Sequence, residues 1–203
     1  MPEITFVPFH TARLETPYTF LYPAGWQARE IATDGGAEIF IAGPSDPAGT
    51  YAVSFTVRMS RGARETPDAA AMALLARYRS APGFRELGQA RGVVAGSRAV
   101  EVGISYLAPL PLNNINARPT PITERHVFLV QRDQFFELLY AATGAEYPTW
   151  LPAFQTLIQT FTFETQVEHV AFLPLIAIPT PQYAREEAVE YETKRDESDE
   201  QPG

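Results

Sequence analysis

The chain has no cysteine, which excludes disulfides and thiolate metal centres. It is nearly free of lysine: of 16 basic residues only Lys194 is one, the rest being arginine. The codon bias of a GC-rich genome explains that without any function. Long apolar runs are missing too. None approaches the roughly 20 residues of a membrane helix, so membrane insertion is not expected. The opening MPEITFVPFHTARLETP lacks the basic-then-apolar layout of a signal peptide, which leads to the expectation of a cytoplasmic protein. An excess of positive charge is absent. The net charge is −8, and residues 185–200 alone hold eight acids and three bases. A nucleic-acid partner is not expected, because such binding needs a cationic surface that releases counterions.

Histidine is scarce as well. His10, His126 and His169 lie far apart and form no short metal-ligand motif, so neither a metal nor a cofactor is expected. Gly88, Gly92 and Gly96 match no phosphate loop or dinucleotide fingerprint, and turns or bulges account for them better. Ser97 lacks the GxSxG setting of a nucleophile elbow. Glu124 and His126 share one face of a predicted strand and are the nearest approach to an acid–base pair. Alone, they bring no nucleophile, oxyanion hole or metal. An enzyme therefore ranks last among the functions considered, and no catalytic residue is assigned.

What the chain does have is strand alternation. In TYAVSFTVRM, Tyr51, Val53, Phe55, Val57 and Met59 fall on one face. AEIFIAG, AVEVGISYL, ITERHVFLVQ and QFFELLYAA read the same way, with ATDGGAE and Arg132-Asp133 as tight turns. ETPDAAAMALLARYRS switches to a helical period, with Thr66 as N-cap, Pro67 at the first position and Asp68 in the first turn. Met72, Leu75 and Tyr78 or Arg79 follow helical spacing, and Pro82-Gly83 stops it. YPTWLPAFQTLIQTFTF is the second helix. Its regular part is expected from Pro152, because proline fits a first turn, and Leu151, Phe154, Leu157, Ile158 and Phe161 make its stripe. Strands, helix, strands, helix is not a βαβ alternation. It predicts an α+β domain, one antiparallel β-sheet covered by helices.

Two segments exceed a minimal domain. Ala108 to Pro121 is too long for an ordinary hairpin of about 2–5 residues. Its Asn113, Asn114, Asn116 and Arg118 are candidate ligand- or partner-binding residues. Residues 165–184 are apolar, with Pro174 and Pro179 opposing both helix and central strand. An extended segment is expected there, and Phe172, Leu175 and Ile178 are candidate partner contacts. Residues 185–203 are too charged to offset the entropy of ordering and read as a disordered acidic tail.

One stretch is more specific. In YTFLYPAGWQAR an aromatic strand ends at Tyr22-Pro23, Gly25 permits a reversal, and Trp26 follows at once. Trp26 is expected to fold back beside Phe20 or Tyr22 and close one end of the core. Trp150 is expected to close the N-terminal end of the second helix over the sheet. The Tyr22-Pro23-x-Gly25-Trp26 opening, the order of elements and the closing Phe161-Thr162-Phe163 resemble the PsbP-like superfamily, which includes the Mog-like and DcrB-like families. The resemblance implies an α/β/α sandwich over residues 14–164, preceded by an arm at 1–13. It also implies binding rather than catalysis: assembly factors, extrinsic subunits and chaperones, some of which shield apolar segments of other proteins. A non-catalytic binding or assembly module is therefore expected, with a protein partner or a second copy of the chain. A small-molecule or lipid-binding domain is the alternative.

Overall fold

The computed structural model describes residues 4–11, 17–62, 65–111, 114 and 116–164. The compact unit spans Met1–Gln166. Ten strands and two helices are present among the described residues. In chain order these are β1 (Phe6–His10), β2 (Tyr18–Pro23), β3 (Gln27–Thr33), β4 (Gly36–Ser45) and β5 (Ala52–Arg61). Then come α1 (Pro67–Tyr78), β6 (Arg85–Val94), β7 (Ser97–Pro109), β8 (Pro119–Gln131), β9 (Gln134–Thr143), α2 (Tyr147–Thr160) and β10 (Thr162–Phe163).

Every strand pairing is antiparallel. Seven strands form the main sheet in the order β3-β4-β5-β9-β8-β7-β6, and β1-β2-β10 form a small one. The single sheet expected from the sequence is therefore two. The segment read as an N-terminal arm supplies β1, whose Phe6–His10 pair with Thr19–Pro23, so it belongs to the domain.

The main sheet separates two apolar layers. On one face Ile39, Ile41, Phe55, Val57, Phe136, Leu138 and Tyr140 meet Phe154 and Leu157 of α2 and Tyr18 and Phe20 of β2. The Phe161-Thr162-Phe163 ending takes part: Phe161 is buried against Tyr18 and Phe136, and β10 pairs with β2. On the other face α1 lays Ala70, Ala71 and Leu74 on Val100, Val102, Ile104 and Phe128. The result is the α/β/α sandwich, with the small sheet sharing the α2 layer.

Both helices carry a proline in their first two positions, Pro67 in α1 and Pro148 in α2. Thr66 caps α1, its Oγ1 accepting from the Ala69 amide at 3.2 Å. The apolar phase of α1 differs from expectation: Met72 is 64% exposed, and the contacts come from Ala70, Ala71, Leu74, Leu75 and Tyr78. Helix α2 starts at Tyr147, five residues before the Pro152 boundary expected. Pro152 is the sixth residue of α2, inside the helix, and having no N–H it leaves the Pro148 carbonyl without that donor. The long connection also shrinks. β7 and β8 stay paired out to Pro109↔Pro119, so only Leu110–Arg118 lie between the strands. Leu110 is buried with Ala108 and Ile122.

Trp26 does not fold back on Phe20 or Tyr22. Gly25 adopts φ +83° and the Trp26 amide bonds to Pro23 O at 3.3 Å. That turn moves the chain from the small sheet into β3 of the main sheet, and the ring turns with it. Its centroid lies 4.7 Å from Phe55 and 5.1 Å from Trp150. Trp150 thus closes this end as expected, with Trp26 as its partner.

Candidate functional site

The alternation of β8 puts Glu124, His126 and Phe128 on the α1 face. In register, β9 adds Glu137 opposite Phe128, β5 adds Arg58 opposite Glu137, and β4 adds Glu38 opposite Arg58. A polar row therefore crosses four strands. His126 is 1% exposed and sits between two carboxylates. Its Nδ1 lies 2.7 Å from Glu137 Oε1, and its Nε2 lies 3.1 Å from Glu124 Oε2. Arg58 Nη1 donates to Glu137 Oε2 at 3.0 Å, and its Nε donates to Glu38 Oε2 at 2.8 Å. Tyr106 of β7 donates its hydroxyl to Glu124 Oε1 at 2.8 Å, and the Tyr78 hydroxyl reaches the same carboxylate.

Burial would raise both carboxyl groups, but the hydrogen bonds and charge of His126 outweigh it. Tyr106 adds to this at Glu124 and Arg58 at Glu137, so both acids titrate below the usual range. Burial alone would lower His126. The hydrogen bonds and charges of Glu124 and Glu137 reverse that and hold it above its ordinary value. Tyr106 is pushed up by burial and then by the Glu124 charge. The row is thus a carboxylate–imidazole–carboxylate triad extended by a guanidinium.

This arrangement is closed upon itself. Both ring nitrogens are occupied, so His126 has none left for a substrate proton. The two carboxylates sit at opposite ends of the ring and cannot converge on one ion. Among the described residues no group of three or more His, Asp or Glu side chains is arranged to hold a metal. Sequence reasoning paired Glu124 with His126 correctly and missed Glu137, Arg58, Glu38, Tyr78 and Tyr106. A signal existed for Glu137: it is the lone acid in the apolar strand QFFELLYAA.

The loop candidates fall elsewhere. Asn114, Asn116 and Arg118 are exposed. Asn114 builds the turn, its Oδ1 accepting from the Asn116 amide at 3.0 Å and its carbonyl from Ala117 at 3.0 Å. Asn113, Phe172, Leu175 and Ile178 lie outside the described residues.

The open surface is the edge of the main sheet. Nine of the ten residues of β6 are exposed, and its outer backbone edge pairs with no described strand. Leu87 is 55% and Val93 70% exposed. A register shift between Glu86 and Gly88 bends the strand near its start. Leu87 lies over Gly103, where an added Cβ would meet it at 3.3 Å. Beside it, a cavity of about 310 Å³ opens between β6 and the start of α2, lined by Leu87, Gly88, Gly103, Arg125, Tyr147 and Leu151. Arg125 is ion-paired with Glu101 in its floor.

Comparisons with known proteins agree on the fold. LpqN of Mycobacterium tuberculosis, described as involved in cell envelope biogenesis, superimposes with a TM-score of 0.53 at 16% identity, over 80% of this chain and 92% of that one. The cyanobacterial PsbP of Synechocystis sp. PCC 6803 gives 0.51 at 11% identity, over 80% and 94%. The yeast Ran-binding protein Mog1p gives 0.49 at 10% identity, over 78% and 95%. No family model matches the sequence. No curated protein matches it. The chain has the PsbP-like fold, as its opening and closing motifs implied.

Proposed function

We propose that this chain is a non-catalytic binding or assembly module of the bacterial cytoplasm, of the chaperone or adaptor type, that takes a protein partner. The observation that carries this reading is the β6 edge, with Leu87 and Val93 standing out into solvent on a strand whose outer edge is unpaired by any described strand. Such an edge offers an extended segment main-chain hydrogen bonds and apolar contacts together. The closed state of the His126 row is consistent with it, because the one buried acid–histidine cluster among the described residues is consumed internally. The fold neighbours add a fold-level analogy: one is described as taking part in envelope biogenesis and another is a PsbP.

The test compares the full chain with a Leu87→Glu/Val93→Glu variant, each recovered from a native extract. A stoichiometric protein partner held by the first and lost by the second is the expected result. No reproducible partner, or one held equally by both, overturns the reading. A small molecule retained in native mass spectra of the wild type would favour a ligand-binding domain instead.

A further inference from the structure

The two faces of the main sheet are held very differently. On the α2 side the contacts are large: Tyr18, Phe20, Phe55, Phe136, Tyr140, Phe154 and Phe161 are all buried. On the α1 side the helix contributes two alanines and one leucine as its buried residues. Those three bury little apolar area, and Leu75 and Tyr78 beside them are only partly buried, so polar contacts matter more to seating α1 than to seating α2.

The polar row supplies them. Tyr78 is the last residue of α1. Its ring lies 4.9 Å from that of Tyr106, and the Tyr106 hydroxyl is bonded to Glu124. Glu124 in turn meets His126 Nε2. The C-terminal end of α1 is thus joined to the centre of the sheet through Tyr78, Tyr106, Glu124 and His126. Each end of the row has a different reserve. Glu137 keeps Arg58 whatever the state of the ring. Among the described residues, the basic side chain bonded to Glu124 is His126.

We propose that the proton on His126 latches α1 to the sheet, so that α1 detaches locally when this proton is lost while the α2 side stays folded. Without the proton, the ring has one N–H left for two carboxylates, and Glu124 becomes a buried carboxylate with no cation bonded to it, a costly state. It is relieved if the Tyr78 end of α1 lifts and water reaches it. Water has a route, because a cavity of about 250 Å³ runs along the flank of α1 between Ala70, Leu74, Arg77, Phe128 and Glu137. The charged and titratable groups around the ring are Glu38 from β4, Arg58 from β5, Tyr51 just before β5, Tyr106 from β7, Glu124 from β8 and Glu137 from β9. Tyr78 and Arg77 come from α1, and Glu65 stands before it. In the range where His126 titrates, its proton is the one exchanged: the acids titrate lower, and Tyr106 and Tyr78 titrate higher. Detachment would uncover Val100, Val102, Ile104 and Phe128, an apolar strip on the sheet. The latch stands independently of the binding reading.

Linkage sets the expected size. The pKa of the ring is higher in the latched state than after the end of α1 has lifted and water reaches Glu124. Between those two values the opening equilibrium of α1 rises about tenfold per pH unit, because opening releases one proton. Below the lower of the two it is flat.

The test uses the full native chain. Histidine Cε1 shifts give the protonation state of His126, and amide exchange, corrected for the intrinsic pH dependence, gives the protection of each element. The expected result is a protonated His126 at neutral pH, with protection of the α1 amides falling about tenfold per unit above its onset while β5 and α2 stay constant. A neutral His126 at pH 7, or α1 and α2 losing protection together, overturns the proposal. In a His126→Gln variant, α1 should be poorly protected and independent of pH; unchanged protection of α1 there is equally fatal. Should that variant not fold, the native titration decides alone.

Discussion

Gly43 lies under the indole of Trp26, and this pair offers a test of how the Tyr22-Pro23-x-Gly25-Trp26 turn is locked to the main sheet. An alanine Cβ at position 43 would fall 2.6 Å from the Trp26 ring. That distance is far inside van der Waals contact, and the ring is also held by Phe55 at 4.7 Å and Trp150 at 5.1 Å. Gly43→Ala alone therefore forces an overpacked site, at a cost of about 1–3 kcal/mol. Trp26→Ala removes a half-buried indole, for which about 2–4 kcal/mol is expected, toward the lower end of full burial values. In the Trp26→Ala background the new methyl meets no ring, and Gly43→Ala should become neutral or stabilising by up to about 1 kcal/mol. The double-mutant cycle, read from urea midpoints at constant m-value, should give a coupling of about 1–3 kcal/mol. Additivity within about 0.5 kcal/mol would refute the contact and move Trp26 to the surface as a binding residue.

Other outcomes follow from the same structure. Thr66→Ala removes the cap of α1 and should cost about 1 kcal/mol in global stability, or that much in α1 protection alone if the helix detaches locally; no change in either would mean the cap is idle. Because Glu124 and Glu137 titrate below their ordinary value, their stabilisation is complete above about 4.3 and is lost as pH falls through their folded values. Urea midpoints should therefore drop on the acid side, and Glu137→Gln should reduce that slope; an unchanged slope would show that other acids produce it. Truncation after Ala184 should leave the melting temperature unchanged, since residues 185–203 hold too much charge to gain from ordering. A fall of many degrees would refute that.

Much of the frame was legible in the residues. The period of two in β5 identified Val53, Phe55, Val57 and Met59 as core, and all four are buried. Thr66-Pro67 marked the start of α1 correctly, because capping depends on hydrogen bonds within one turn. The Arg132-Asp133 hairpin was equally local, and Arg132 adopts φ +56°. Errors arose where a neighbour distant in sequence sets the outcome. Met72 has helical spacing in the apolar series, yet the strip on β7 and β8 meets Ala70, Ala71 and Leu74 instead. Pro152 looked like a boundary because the first turn from Tyr147 was not recognised. The segment 1–13 looked like an arm because the pairing of β1 with β2, from His10↔Thr19 to Phe6↔Pro23, leaves no mark in the segment's own residues.

The candidate site shows the same division. Sequence alone determined that Glu124 and His126 share a face, since residues two apart in a strand must do so. It also determined the turn at Gly25 and the antiparallel character of the domain. Which residues flank His126 was decided only by register: Glu137 is 11 positions away in sequence, Arg58 arrives from another hairpin, and Tyr106 from across β7. Tertiary structure therefore decided that the histidine is buried between two acids, which raise its pKa. The physical reason is that charge on an imidazole follows from the groups within hydrogen-bonding distance of both its nitrogens, and the alternation of one strand specifies the neighbours on only one side.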